Sequence, residues 1–391
     1  ICHVWFGFCP GQGNTGIHEY PPRLASLGFD VHAIVLRRPY EPAEENIKDV
    51  WCHRITAPFQ HSMRAWWQQW QEARSQLTRH GPFDIIHVYS APAAGFLPLF
   101  ARSKGRRWLY DVRSGGVTPG IKGWSGDRLV ALHSLFFDAT VVLEPRVQQR
   151  IFGHLLGHRV MGILPVGINP ALFDARDGTE LRQRLDLASN ELVLIYIGSL
   201  SPVRRLHIVL EAFHQALLSE LPLKLLIVGE GGAYDQLAAQ AEALGLSENV
   251  IFTGFVDYHQ VPDYLAAADI GLAFVPRTPG FDFQPPLKTL ESMAGGLPTI
   301  ATDTPANQEI IQHRRNGLIC QDTVDSLAQA IVELAEDAAL RARLAEAARP
   351  SVRQFSYTTL TTERLLPLYE QLLGEPILFP QHHRALSAGE E

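Results

Sequence analysis

Short runs rich in β-branched residues alternate with amphipathic stretches of helical period along nearly the whole chain. That alternation predicts repeated strand and helix units, and hence parallel sheets covered by helices. In the first half the strand candidates are 1–8, 31–36, 85–89, 108–112, 140–143 and 160–164; in the second they are 192–197, 223–228, 250–253, 270–274, 299–301 and 318–320. Between the two sets lies "LPVGINPALFDARDG", where Pro, Gly and Asn break the strand pattern and a new helix begins only near Thr179. We read it as a domain linker. Past Val324 the pattern is helical, through "SLAQAIVELAEDAALRARLAEAA" and "TTLTTERLLPLYEQLL", up to a polar tail after Pro380. The expected fold class is α/β, with two Rossmann-like, doubly wound parallel-sheet domains facing each other across a cleft. The boundaries predicted are 1–168, 169–352 and a terminal 353–391. Ligands of such sheets bind at the carboxyl ends of the strands, so a motif gains weight when it follows a strand.

A chain of 391 residues with 46% apolar content is long enough for two full cores. Its net charge of -7 argues against polyanion binding, and the basic stretch Arg102, Lys104, Arg106, Arg107 reads as a solvated loop. Nucleic acid is therefore not an expected partner. Cys2, Cys9, Cys52 and Cys320 are scattered without metal-ligand spacing, which fits a reduced, cytoplasmic setting. No apolar run of about 18 residues exists, and the start "ICHVWFGF" lacks the charged region of a signal peptide. A soluble chain is expected; it opens on Ile1 rather than Met, which leaves open whether residues precede it. One stretch offers a second setting. "HSMRAWWQQWQEARSQL" carries Met63, Trp66, Trp67, Trp70 and Leu77 beside Arg64 and Arg74, so it reads either as a helix packing aromatics on the first sheet or as a peripheral contact with the inner membrane face. Oligomeric state is not legible.

The segment "PPLKTLESMAGG" sets Lys288 and Glu291 one helical turn apart behind two prolines. Both side chains then share one face, beside a helix N-terminus whose free N–H groups and partial positive charge suit a phosphate. One turn deeper, the carboxylate is placed to accept hydrogen bonds from the two hydroxyls of a ribose. Taken alone, the pair reads as a surface i, i+3 ion pair. It has company in "YIGSLSPVRRLHIVLEAF", where Gly198 allows a sharp turn and Arg204 or Arg205 can reach back over the strand ends toward Lys288. Two cations on one diphosphate would be catalytic, because the leaving group gains negative charge as its bond breaks. Gly229, Gly231 and the segment Gly254, Phe255, Val256 follow later strands and offer backbone contacts to a nucleotide base.

In the first half, "CPGQGNTG" spells G-x-G-x-x-G with Gly11, Gly13 and Gly16. Cys9 and Pro10 separate it from the strand, Pro21 and Pro22 are expected to disrupt the following helix, and no acid ends the second strand, whose end is Leu36, Arg37, Arg38. These features weigh against a nicotinamide site and leave a loop near donor phosphates or acceptor, or a structural turn. "YDVRSGG" offers Asp111 as a base or acceptor-orienting group and Arg113 as an anion holder; the alternative is a buried pair that fixes the loop. His87, inside "FDIIHVYS", reads as a satisfied core histidine.

In their order, "IGSLSPVRRLHIVLEAF", "LLIVGEGG", "VIFTGFV", "VPDYLAAADIGL", "PPLKTLESMAGGLPTIATD" and "NGLI" resemble the family-4 retaining glycosyltransferases of GT-B fold. "LASLGFDVHAI", "FDIIHVYS", "YDVRSGG" and "ILPVGINPALF" extend the resemblance over the first half. It implies transfer of a sugar from a UDP- or GDP-linked donor to the hydroxyl of a glycan, glycolipid or small metabolite, with retention at the anomeric carbon. By that resemblance Glu291 holds the ribose, Lys288 and Arg204 neutralise the departing diphosphate, and Gly13 approaches the phosphates or transferred sugar, with Gly16 beside it as a substrate-binding position. Ser199, Arg205, Gly229, Phe255, Val256 and Leu287 count among its substrate-binding positions. Neither a bound cofactor nor a metal is implied, and the last helix, near 357–373, would cross back to the first domain. The chain departs from the family's pattern at three points: Phe283, beside Asp282, stands where many relatives carry a second Glu, Ser199 where an Arg is common, and Asp111 or Arg113 where many place a His. A sugar-nucleotide epimerase or hydrolase, and a non-catalytic nucleotide-sugar-binding protein, are the alternatives.

Overall fold

The computed structural model describes residues 1–8, 15–56, 62–102, 105–113, 121–174, 176–282 and 287–377. Expectations at Cys9, Pro10, Gly11, Gly13, Lys104, Phe283, Pro285 and Pro286, and for the polar tail, fall outside these residues. The chain divides into two compact units, Ile1–Gly167 joined by the segment from Tyr357, and Ile168–Ser356.

The first unit is built on β1 (Cys2–Phe8), β2 (Val31–Leu36), β3 (Glu44–Ile47), β4 (Val50–Ile55), β5 (Phe83–Tyr89), β6 (Gly105–Val112), β7 (Ala139–Val142) and β8 (Val160–Ile163). Their order is β3-β4-β2-β1-β5-β6-β7-β8, parallel except for the antiparallel pair β3 and β4. That hairpin is absent from the sequence reading, for a physical reason. Glu-Glu-Asn-Ile carries no apolar alternation, as suits a polar edge strand. Its turn uses Lys48 and Asp49 at φ of 52° and 62°, the left-handed pair that a two-residue hairpin requires but that "Asn-Gly" usually signals. Arg106 and Arg107 open β6 rather than a loop: Arg106 pairs with Asp84 and Glu375, and Arg107 donates to the Leu372 carbonyl.

Pro21 and Pro22 do not disrupt the helix after β1, which runs Thr15–Ser26 through both. Two helical hydrogen bonds are lost. Burial of Ile17, Tyr20 and Leu24 holds the helix in place. Helix Met63–His80 buries Ala65, Trp70, Ala73 and Leu77, with Trp70 stacked on Phe100 at 4.7 Å. Met63 and Trp67 stay 67% and 49% exposed, so only part of the aromatic face serves the core. From Tyr357 the chain packs on the first sheet, where Leu360, Leu365, Leu366 and Tyr369 join Val31, Val35, Ile85 and Leu109 in one apolar cluster.

The second unit orders its strands β11-β10-β9-β12-β13-β14, all parallel. These are β9 (Leu192–Ile197), β10 (Leu223–Val228), β11 (Val250–Gly254), β12 (Ile270–Ala273), β13 (Thr299–Thr302) and β14 (Leu318–Cys320). Leu194, Tyr196, Leu225, Ile227, Leu272 and Ile300 form its centre with helices His207–Leu217 and Val324–Glu336. Among the described residues no helix is long and apolar enough to cross a membrane. Cys2, Cys52 and Cys320 are buried and none of them forms a disulfide among the described residues.

Candidate functional site

In the second unit β9 lies between β10 and β12, so the strand order reverses beside it, and the carboxyl ends of β9 and β12 are where sheets of this kind bind ligands. The chain leaves β9 through Gly198 at φ 146°. A Cβ there would sit 2.8 Å from Lys288 Cε and 3.0 Å from its Nζ, so the glycine admits the lysine to the strand end. Lys288 belongs to helix Leu287–Ala294, whose Thr289, Leu290, Met293 and Ala294 are buried, leaving Lys288 and Glu291 on the open side. Its ammonium lies 5.3 Å from the Tyr196 ring centre.

Arg204 enters from the turn Pro202–Arg204, with its guanidinium 4.5 Å from the centre of the Phe281 ring. The cations sense each other. Burial first, and the Arg204 charge second, push the Lys288 ammonium down to about 7, against the opposing pull of Glu291. Glu291 accepts a hydrogen bond from Tyr258, yet burial pushes its carboxyl up to about 7. Lys288, Arg204 and Glu291 thus form one partly buried electrostatic group, in which a polyanion would restore the lysine charge that burial suppresses.

Other expected positions separate from this group. Arg205, in the left-handed region at φ 52°, is exposed and pairs with Asp322 at 3.2 Å, so the structure assigns it to the surface rather than the anion site. Asp282 is held by Arg277, which also pairs with Asp303. Ser199 is exposed and its carbonyl accepts from the Tyr196 hydroxyl. Gly229, at φ 140°, abuts Gly198: an added Cβ would stand 2.0 Å from the Gly198 carbonyl oxygen. Gly231 borders an open groove of about 530 Å³ lined by Glu230, Tyr234, Phe252, Thr253 and Gly254. Phe255 beyond it is exposed, and Val256 and Leu287 are half-buried.

The first unit corrects the reading of Asp111 and Arg113. Asp111 is fully buried; its Oδ2 takes Arg113 Nε and Nη2 at 2.9 and 2.6 Å and His87 Nε2 at 3.0 Å. Arg113 lies 5.4 and 5.8 Å from the ring centres of Tyr20 and Tyr89 and also reaches the Leu164 carbonyl. The carboxylate is fully buried and the guanidinium is already paired, which is the second of the two readings of this segment. This is the buried pair that fixes the strand end. His87 is satisfied on both nitrogens, by Asp111 and by the Tyr369 hydroxyl at 2.7 Å. Gly16 is buried at the start of helix Thr15–Ser26, and Gly13 lies outside the described residues.

Residues 177–351 match the family model "Glycosyl transferases group 1", and residues 13–160 match "Glycosyl transferase 4-like domain". The chain belongs to the group 1 glycosyl transferases. It is 25% identical over 391 aligned residues to N-acetyl-alpha-D-glucosaminyl L-malate synthase of Bacillus anthracis, covering 93% of this chain and 94% of that protein. Alpha-monoglucosyldiacylglycerol synthase of Streptococcus pneumoniae is 31% identical over 256 residues, 64% of this chain and 50% of that one. The GT-B fold is shared with sucrose-phosphate synthase from Thermosynechococcus elongatus (TM-score 0.77, 19% identity, 95% and 98% of the two chains). It is shared too with Anabaena HepE in complex with UDP-glucose (TM-score 0.74, 18% identity, 95% and 99%).

Three side chains of this glycosyl transferase's crevice escaped the sequence reading: Tyr196, Tyr258 and Phe281. Tyr196 was hidden inside an apolar strand, where a ring reads as core. Tyr258 and Phe281 sit on turns, and only the fold brings them to Glu291 and Arg204.

Proposed function

We propose that this glycosyl transferase is a retaining, hexosyltransferase-type enzyme that moves a sugar from a UDP- or GDP-linked donor to an acceptor hydroxyl, without metal or bound cofactor. One observation carries the reading: Lys288, Arg204 and Glu291 converge where β9 and β12 end. In the proposed complex Lys288 and Arg204 face the diphosphate, whose charge grows as its bond to the anomeric carbon breaks. Glu291, oriented by Tyr258, accepts from the ribose hydroxyls, and the base lies against the Gly229 and Gly254–Val256 backbone. The acceptor oxygen bonds to the anomeric carbon on the face the phosphate leaves, and its proton passes to the departing phosphate oxygen. Asp111, sealed in its ion pair, does not compete for that proton. Relatives named for making a glucosaminyl malate and a glucosyl diacylglycerol support a small hydroxylated metabolite or a lipid as acceptor. Exposed Met63 and Trp67 beside Arg64 favour work at the cytoplasmic membrane face.

The test is product analysis with α-linked UDP- and GDP-sugars and a panel of acceptors, read by the anomeric configuration of the product. An α-linked product supports the proposal and a β-linked one overturns retention. Donor converted equally well without acceptor points instead to an epimerase or hydrolase.

A further inference from the structure

Apart from the groups that carry the proposed chemistry, three histidines of the first unit meet where β2, β4 and the end of helix Met63–His80 come together. His32, His53 and His80 each offer a ring nitrogen, and these atoms lie within 4.8 Å of one another. His32 Nδ1 and His53 Nε2 are 2.8 Å apart, with the two rings 15° from parallel. On its far side His32 Nε2 stands 3.2 Å from Asp30 Oδ1. One tautomer satisfies both contacts: His53 Nε2–H donates to His32 Nδ1, and His32 Nε2–H donates to Asp30.

That relay leaves His53 Nδ1 as a lone pair. The side chain of His53 is 2% exposed, and its Nδ1 has no hydrogen-bond partner among the described residues; nor has the buried Nε2 of His80. Both nitrogens stand near one carboxylate oxygen, Glu44 Oε1 on β3, at 3.9 and 3.4 Å. Donors around a four-coordinate ion with bonds of ~2.0–2.1 Å stand about 3.4 Å apart, which is the spacing of Glu44 Oε1 from His80 Nε2 and near its spacing from His53 Nδ1. The His80 ring, stacked 3.8 Å from His53, must tilt to aim its nitrogen, and Arg79, which now pairs with Glu44 at 3.1 Å, must swing into the solvent it already faces.

We propose that His53 Nδ1, His80 Nε2 and Glu44 Oε1 bind a divalent transition metal of the zinc class, with Asp30 and His32 as the outer relay that orients His53. Two imidazoles and a carboxylate suit a borderline ion better than magnesium or calcium, and a carboxylate behind a ligating histidine is the usual outer support. A fourth position is left to water. The bound ion ties the polar β3 edge to the end of the helix preceding β5. Its role is structural, since His32 lies at the amino end of β2 whereas substrates bind at carboxyl ends.

The experiment uses the full chain, freed of metal by chelation and titrated with ZnCl2 by calorimetry and thermal unfolding. We expect one zinc ion per chain and a rise in Tm, with no response to MgCl2. His80→Ala and Glu44→Gln should each weaken zinc binding by at least about 10-fold while keeping the wild-type far-UV circular dichroism, and Asp30→Asn, at an exposed position, by about 10–100-fold. Visible absorption of a tetrahedral Co2+ complex should appear in the wild type and vanish in His80→Ala. Failure of the wild type to bind zinc overturns the proposal. So does unchanged affinity in folded His80→Ala, or an equal shift with MgCl2.

Discussion

Lys288 and Glu291 carry the most consequential balance among the individual residues. Burial brings the pKa of each to about 7, so their charge states at neutral pH depend on what enters the crevice. A diphosphate favours the ammonium and ribose hydroxyls favour the carboxylate. Above pH 7 nucleotide binding must therefore take up a proton at Lys288, and below pH 7 it must release one at Glu291. UDP or GDP affinity should peak near neutrality and fall on both sides; at about pH 8.5, calorimetry in two buffers of different ionisation heat should show uptake approaching one proton, absent in Lys288→Met. A flat affinity profile would remove the coupling. Arg204→Ala and Lys288→Ala should lower turnover by about 10²-fold or more with little change in Tm, because each removes a cation that stabilises the charge growing on the leaving group. Glu291→Ala should act mainly on nucleotide affinity. Gly198→Ala differs in kind: its Cβ meets Lys288 at 2.8 Å in a backbone region that L-residues avoid, so about 1–3 kcal/mol of stability should go together with turnover. Lys288, Glu291 and Arg204 were legible because charge at strand-to-helix turns is informative. Asp111 and Arg113 misled because a buried ion pair and a ligand site use the same residue types at the same kind of position.

Elements show where local rules yield to tertiary packing. The helix over Pro21 and Pro22 persists because Tyr20 and Leu24 are buried, and its loss of two backbone bonds is local. The final helical segment contains a wide turn, Thr361–Leu365, that ends two residues before Pro367. A π turn there gives the proline ring room against the preceding carbonyls and lets the chain continue. Tyr369 on that segment closes the chain of hydrogen bonds from Asp111 through His87. Tyr369→Phe should therefore cost about 1–3 kcal/mol, measured by denaturant unfolding, because it leaves His87 Nδ1 buried without a partner. Nucleotide affinity should not change; a loss of affinity at constant stability would assign Tyr369 a role in the second unit's site. The hairpin of β3 and β4 could not be read from sequence, since an edge strand of Glu, Glu and Asn takes its conformation from its neighbour.

At the scale of the whole molecule, the chain leaves the first unit at Gly167 and returns to it at Tyr357, so the middle stretch is continuous and the first unit is not. Residues 168–356 expressed alone should fold cooperatively and bind UDP or GDP with dependence on Lys288 and Glu291. A chain ending at Ser356 should retain that behaviour and lose the first unit's cooperative transition, because Leu360, Leu365, Leu366 and Tyr369 no longer cover its sheet. Circular dichroism melts and calorimetry separate these outcomes; an intact first transition in the shortened chain would contradict the assignment. The sequence by itself determined the two parallel sheets, most strand positions and the charged pair on the helix after β12. Periodicity and turn chemistry are local, and they report the backbone state of a segment and the face on which a side chain stands. Only the tertiary structure decided which of those faces meet. It brought Tyr258 and Phe281 to Glu291 and Arg204, drew Arg205 to Asp322, and closed Asp111 inside its ion pair. It also gathered three histidines from distant segments, because proximity across a fold depends on strand order and packing, which no single stretch of residues encodes.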